Sequence, residues 1–206
     1  MRYDFKKHTL DESSVNKNPF QQFNKWYAES VKTSGVDASA MTLASAADNK
    51  PSARTVYLRG FDSKGFCFYT NYNSRKGKEL SANHNTCLLF FWHELQRQII
   101  IEGKVQKLSA EESDNYFAAR PRGSQIGAWA SQQSSIIQNR KVLEDRVKKF
   151  TQQFEGKKIP RPPHWGGYRL IPSSFEFWQG RESRLHDRIQ FTKGKNGKWK
   201  MERLSP

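Results

Sequence analysis

The sequence predicts a mainly β fold with peripheral helices, an α+β domain whose strands are mostly antiparallel. Three observations predict it. About eight short runs either alternate apolar and polar residues or are apolar throughout. Most neighbouring runs are joined by a few residues rich in Gly, Asp, Asn and Lys, which suits hairpins and not parallel crossovers. Only three or four stretches carry a helical period. Eight strands of this kind suffice to close a small barrel.

Taken in order, residues 1–18 are polar and aperiodic, and an arm is expected there that is mobile or orders only on contact. Residues 19–206 then read as one domain. Pro19 suits the first turn of a helix. Phe20, Phe23, Trp26, Tyr27 and Val31 recur at helical spacing up to Gly35. The period then changes. MTLASA (41–46) and ARTVYLRGF (53–61) read as strands about a turn at Asp48, Asn49, Lys50 and Pro51. FCFYTN (66–71) follows a second turn, and its continuous apolar start predicts burial on both faces. Ser74 offers an N-cap to a short helix, RKGKELSAN. TCLLFFW (86–92) and RQIIIEGKVQKL (97–108) are two long strands. Ser109 and Glu112 form a capping box that starts a helix carrying Tyr116 and Arg120 and stopping before Pro121. Residues 121–135 read as a loop rich in Gly, Ser and Gln, anchored by Ile126 and Trp129. Asn139 caps a helix to about Phe154, with Val142, Leu143, Val147, Phe150 and Phe154 as its stripe. After a proline-rich connector (156–164), GYRLIP, SFEFWQ, RLHDRIQF and WKMERL read as closing strands, the last two joined by a hairpin at Lys193–Lys198.

The charge balance selects partners. Thirty-five Lys and Arg against 20 Asp and Glu give +15, which favours nucleic acid, phosphorylated small molecules or acidic membrane surface. The 13% aromatic content argues against disorder. Cys67 and Cys87 each sit in an apolar run, without CxxC or Cys/His spacing, so no metal site is expected and a reducing, cytoplasmic setting is. No apolar run reaches the ~20 residues of a membrane span, and the first residues lack a signal-peptide core.

Several constellations bear on chemistry. Tyr69 and Thr70 end a strand, and Ser74, Arg75 and Lys76 open a helix whose free N–H groups and partial positive charge suit a phosphate. The alternative is a solvated basic first turn. Tyr116 and Arg120 share a helix face, and with Ser124 they offer hydroxyls and a guanidinium to a second phosphate, or merely decorate a surface. Arg54 and Arg59 have opposite parity along one strand, so a bulge or strand end must intervene if both face one ligand. Gln98 opens a strongly apolar strand. Gln133 and Ser134 lie in an amide- and hydroxyl-rich loop. If 184–190 is extended, Arg184, His186, Arg188 and Gln190 face one way, which invites an anion or marks a charged edge strand. Nucleotide-binding Gly motifs, GxSxG and HExxH are all missing from the sequence.

RPRGSQIGAWASQQS (120–134), PPHWGGYRL (162–170), EFWQG (176–180) and RLHDR (184–188) resemble the signature segments of the pyridoxamine 5′-phosphate oxidase family. FYTNYNSRKGKEL (68–80) and the terminal ERLSP resemble it too. The resemblance implies an FMN-binding split β-barrel, a homodimer with FMN across the subunit interface. It implies oxidation of pyridoxamine 5′-phosphate or pyridoxine 5′-phosphate to pyridoxal 5′-phosphate, with hydride passing to the flavin and O2 reoxidising it to give H2O2. By the same resemblance Arg54, Tyr69, Thr70, Arg75, Lys76, Gln98, Gln133, Ser134, Trp178 and Arg188 are expected to contact FMN. Tyr116, Arg120 and Ser124 are expected to clamp the substrate phosphate. Arg184 and His186 are expected over the substrate ring as catalytic residues. Two positions depart from the family pattern. Arg59 stands where a lysine shared by cofactor and substrate is usual, and geometry differs between the two cations. Arg2 and Phe5 stand where an Arg and a Tyr usually cover the substrate. Another split-barrel flavin oxidoreductase, or a basic nucleic-acid-binding barrel, are the alternative functions.

Overall fold

A computed structural model of the chain describes Phe5 and residues 7–206. Arg2 lies outside the described residues. Of the described arm residues, Leu10 and Val15 are buried in the main core. The apolar residues of this polar stretch are scattered without a period, which is why the sequence reads as a free arm.

Helix α1 (Pro19–Ser34) begins where the Asn18 side chain accepts hydrogen bonds from the N–H groups of Phe20 and Gln21. It buries Phe23 and Trp26 against the sheet. The strands are β1 (Ala40–Ala47), β2 (Lys50–Tyr57), β3 (Gly60–Asp62), β4 (Gly65–Asn71), β5 (Asn85–Trp92), β6 (Arg97–Lys107), β7 (Trp165–Gln179), β8 (Asp187–Lys193) and β9 (Trp199–Leu204). All pairings are antiparallel. The turn between β1 and β2 is only Asp48 and Asn49, both at positive φ. Pro51 is therefore within β2, an edge strand that tolerates proline.

The order β2-β1-β5-β6-β7-β4-β3 leaves β2 and β3 as unpaired ends, so the sheet does not close into the expected small barrel. The reason lies in β7. GYRLIP and SFEFWQ are not two strands but one of 15 residues. One edge of β7 pairs with β6 along its length; the other pairs first with β4 and then with β8. The register shifts at Glu102/Gly103, opposite Pro172. A Cβ on Gly103 would lie 2.1 Å from the Ile171 carbonyl oxygen, so only glycine lets β6 follow the bend. Phe66, Phe68, Phe90, Phe175, Phe177 and Phe191 fill the core inside this sheet.

The helices are α2 (Arg75–Ala82), α3 (Ala110–Ala118), α4 (Arg122–Ala130) and α5 (Arg140–Gln153). Ser74 caps α2 by accepting from the Gly77 N–H, and Ser109 with Glu112 forms the predicted capping box of α3. Arg120 lies beyond the end of α3. The expected loop at 121–135 is instead helix α4 over much of its length. Its glycines suggest a loop, but Ile126 and Ala130 are buried, Ile126 in a second core with Phe117, Phe154 and Trp165. Of the stripe predicted on the helix after Asn139, only Phe154 is buried.

Gly77 has a positional role. A Cβ there would lie 2.2 Å from the Tyr72 carbonyl oxygen and 2.7 Å from that of Asn71. Gly77→Ala is expected to cost about 1–3 kcal/mol, as overpacking does. It should also lower flavin affinity by displacing the start of α2. Urea melts and a flavin titration of the apoprotein check both.

Candidate active site

The turn after β4 and the segments around α3 and α4 bring eight of the predicted residues around one cavity of about 720 Å³: Arg59, Tyr69, Thr70, Lys76, Tyr116, Arg120, Ser124 and Gln133. Arg59 reaches it because β2 stops at Tyr57; the strand break, not parity, sets its direction. Its guanidinium lies 5.0 Å from the Tyr57 ring centroid. Arg54 points elsewhere. It donates to Glu79 (2.6 Å), Ser45 (2.6 Å) and Ser52 (2.5 Å).

The cavity lining contains three cations, Arg59, Lys76 and Arg120, and no carboxylate. Tyr69 stacks on Tyr116 with centroids 3.7 Å apart, and on Trp165 at 5.5 Å. Burial pushes the Tyr69 hydroxyl up to about 12, so it stays protonated and able to donate. The Arg120 guanidinium lies 4.6 Å from the Trp165 ring centroid. Its Nη1 is buried with no hydrogen-bond partner. A buried, unpaired N–H of a cation is costly, and burial is the main cause lowering its pKa. An oxyanion in the cavity would satisfy it. Lys76 Nζ and Thr70 Oγ1 both donate to Gln133 Oε1, at 3.3 and 3.4 Å. The donor set thus fits anionic phosphate esters, including the phosphate end of FMN.

Arg75 and Ser134 border a neighbouring cavity that shares Asn71 and Gln133 with the first. Arg75 is tied to Glu79 at 2.8 Å. Glu79 was not anticipated as part of the site, although its spacing of four from Arg75 on a helix was visible. Trp165, the platform under Arg120, was likewise missed.

Gln98, Trp178, Arg184, His186 and Arg188 do not line this cavity. Gln98, Trp178 and Arg188 face one another across β6, β7 and β8. Along β7 the register positions of the two groups, Gly167 opposite Tyr69 and Trp178 opposite Arg188, are 11 residues apart. At ~3.3 Å per residue that is up to roughly 36 Å. Arg188 donates to both carboxylate oxygens of Glu176, at 2.9 and 3.0 Å.

The expected face of Arg184, His186 and Arg188 is not formed. The strand begins only at Asp187, and Glu182–Arg184 is a 3-10 turn with Ser183 and Arg184 at φ of 55° and 63°. Arg184 therefore leaves the strand face. Asp187 pairs with two arginines, Arg181 (2.7 Å) and Arg203 (3.0 Å). The His186 ring lies 4.6 Å from Trp178. The Phe5 ring, from the arm, meets both, at 5.6 Å from Trp178 and 5.7 Å from His186. At the Phe5 position, aromatic contact replaces any hydroxyl contact that a tyrosine would make.

Among the described residues, no helix is long and apolar enough to cross a membrane and no His/Cys/Asp/Glu cluster could hold a metal ion. Comparison with known proteins agrees with the geometry. Residues 29–154 match the family model for pyridoxamine 5′-phosphate oxidase, and residues 165–206 match that for the pyridoxine 5′-phosphate oxidase C-terminal dimerisation region. The chain is 52% identical over 209 residues to the pyridoxine/pyridoxamine 5′-phosphate oxidase of Burkholderia mallei (strain SAVP1), covering 100% of this chain and 97% of that protein. The namesake from Nostoc punctiforme is also 52% identical, over 207 residues, with the same coverage. Among solved structures, PhzG from Burkholderia lata 383, in complex with tetrahydrophenazine-1-carboxylic acid, superposes with a TM-score of 0.88 at 30% identity, covering 96% of this chain and 98% of that one. A pyridoxamine 5′-phosphate oxidase-related, FMN-binding protein of Nostoc punctiforme shares the fold, with a TM-score of 0.74 at 16% identity over 93% of this chain and 100% of that one. With matching models over most of its length and relatives at 52% identity, the chain belongs to the pyridoxamine 5′-phosphate oxidase family.

Proposed function

We propose that the protein is an FMN-dependent oxidase. It converts pyridoxamine 5′-phosphate and pyridoxine 5′-phosphate to pyridoxal 5′-phosphate, with O2 as acceptor, H2O2 as product and ammonia released from the amine. The observation that carries the reading is the unpartnered, buried Arg120 Nη1 beside Tyr116 and Ser124 in a cationic cavity without carboxylates. Such a site suits a phosphorylated substrate.

When bound, FMN supplies the two-electron acceptor that O2 reoxidises. The chain's own residues bind and orient. Lys76, with Arg75 at the start of α2, holds the flavin phosphate, while Tyr116, Arg120 and Ser124 hold that of the substrate. Arg59, placed between Tyr57 and Gly60, adds charge near both. Gln98, Trp178, Arg184, His186 and Arg188 do not line that cavity within one chain. The reading is therefore a homodimer in which each chain supplies one group of residues to each of two sites, consistent with the dimerisation-region match at 165–206.

A phenazine-type substrate, as bound by PhzG, is the second reading. Three cations around one cavity fit two phosphates better than the single carboxylate that PhzG's ligand carries. The nucleic-acid reading loses support, because eight of the 14 phenylalanines are fully buried, where no base can stack on them. The deciding measurement is the absorbance of the purified protein under anaerobic conditions. Pyridoxamine 5′-phosphate should bleach the flavin band, and air should restore it with one pyridoxal 5′-phosphate per turnover. A protein that binds no FMN, or one bleached only by a dihydrophenazine carboxylate, overturns the proposal.

A further inference from the structure

His186 is held by more than its neighbours' packing. The Arg181 backbone N–H donates to His186 Nδ1 at 3.1 Å. A backbone N–H can only donate, so Nδ1 carries the lone pair. A neutral imidazole has one donor and one acceptor nitrogen, so the proton sits on Nε2. The contact depends on a tight loop. Ser183 and Arg184, neither of them glycine, are both left-handed and bring the ring back under Arg181. Asp187 holds the loop shut. Its Oδ2 accepts from Arg181 Nη1 at 2.7 Å and from the Leu10 N–H at 3.0 Å, and its Oδ1 accepts from Arg203 Nη1 at 3.0 Å. Trp178, Phe5 and the Arg184 cation also lie beside the ring.

We propose that Arg181 and Asp187 are positioning residues that fix His186 as a neutral imidazole with its proton on Nε2, making it a hydrogen-bond donor to the substrate and not a proton-accepting base. A cationic ring would aim a second N–H at the Arg181 N–H and lose that hydrogen bond. Burial first, and then the Arg184 cation, also hold the His186 pKa below 6.5, against a smaller opposing pull from Asp187. The role toward substrate rests on the function proposed above; the protonation state does not.

The test separates the two. Nitrogen-15 histidine spectra of the FMN-loaded protein without substrate should show His186 with Nε2 protonated and Nδ1 bare, titrating below 6.5. An Nδ1–H ring, or a cation at pH 6.5, overturns the proposal whatever the enzyme does. In Asp187→Asn, loss of a nearby negative charge alone would lower the titration midpoint further. Release of the loop should instead raise it and mix the tautomers; a midpoint that falls removes Asp187 from the proposal. Should that variant not fold, Asp187→Glu keeps the charge and displaces the carboxylate, and an unchanged midpoint and tautomer there remove Asp187 from the proposal. In turnover, His186→Gln keeps an amide N–H where Nε2–H stood and should stay within about tenfold of wild type. His186→Asn should lose about a hundredfold, the scale of a lost catalytic contact. Equal, severe losses in both variants, the result expected of a base, would overturn the donor role.

Discussion

Arg120→Met is expected to raise KM for pyridoxamine 5′-phosphate by about 10²–10³-fold while leaving the melting temperature unchanged or higher. The two effects have one cause. In the free protein the guanidinium is half-buried with its Nη1 fully buried and unpaired, beside Trp165 at 4.6 Å and Phe117 at 5.7 Å. Methionine keeps an apolar stem against those rings and removes a desolvated charge that nothing nearby neutralises. With substrate bound, the same charge meets a phosphate. Losing one partner of such a pair costs about 2–5 kcal/mol. The flavin spectrum should not change, because Lys76 and Arg75 are untouched. Arg120→Lys should fall between, since a point charge replaces a planar fork. Steady-state kinetics beside a thermal melt check this; a lower melting temperature with an unchanged KM would make Arg120 a structural residue.

Glu79→Gln should be the most destabilising single change near the site. The Glu79 carboxylate is buried and accepts from Ser45 (2.7 Å), Ser52 (2.6 Å), Arg54 (2.6 Å) and Arg75 (2.8 Å). Arg54 is itself largely buried, so neutralising Glu79 strands its charge, whereas the exposed pair with Arg75 contributes little. The expected loss is about 3 kcal/mol, or roughly 6–12 °C in a domain of this size. Burial pushes the Glu79 pKa up. The hydrogen bonds from Ser52, Ser45, Arg75 and Arg54 outweigh that and hold it down at about 2, against an ordinary 4.5. A depressed carboxylate contributes its full stability above pH 4.5 and loses it as pH falls toward 2. Wild type should therefore weaken through that window more steeply than Glu79→Gln. Denaturant melts at a series of acid pH values would show it, and parallel slopes would mean that Glu79 is not the titrating group.

The same network shows why Arg54 was readable as a cation for the site but not as to its partner. In the sequence it is one of two arginines of opposite parity. Ser52 shares its strand face, but only the fold places Ser45 of β1 and Glu79 of α2 around it. His186 poses a similar difficulty. Alternation suggested that it shares a face with Arg184 and Arg188, but alternation holds only along a regular strand. Two left-handed residues, Ser183 and Arg184, break the strand just before it. Nothing in their side chains announces that conformation, since serine and arginine seldom adopt it.

By itself the sequence determined what local rules govern. Pro19 in a first turn, the caps at Ser74 and Asn139 and the capping box at Ser109 and Glu112 begin helices as expected, because such signals are decided within four residues. The strands from 66 to 107 form as their patterns predict: β5 and β6 because burial side follows residue parity, β4 because its apolar run is covered on both faces. The motif-bearing segments also identified the family. The tertiary structure alone decided three things: that β7 is one bent strand with different partners along its second edge, that α4 replaces a loop, and that the arm packs by Leu10 and Val15. Each depends on contacts between residues distant in the chain, and no local period encodes which surface will be there to bury them. β7 is where this matters most, since its length carries the cationic cavity at one end and His186 at the other.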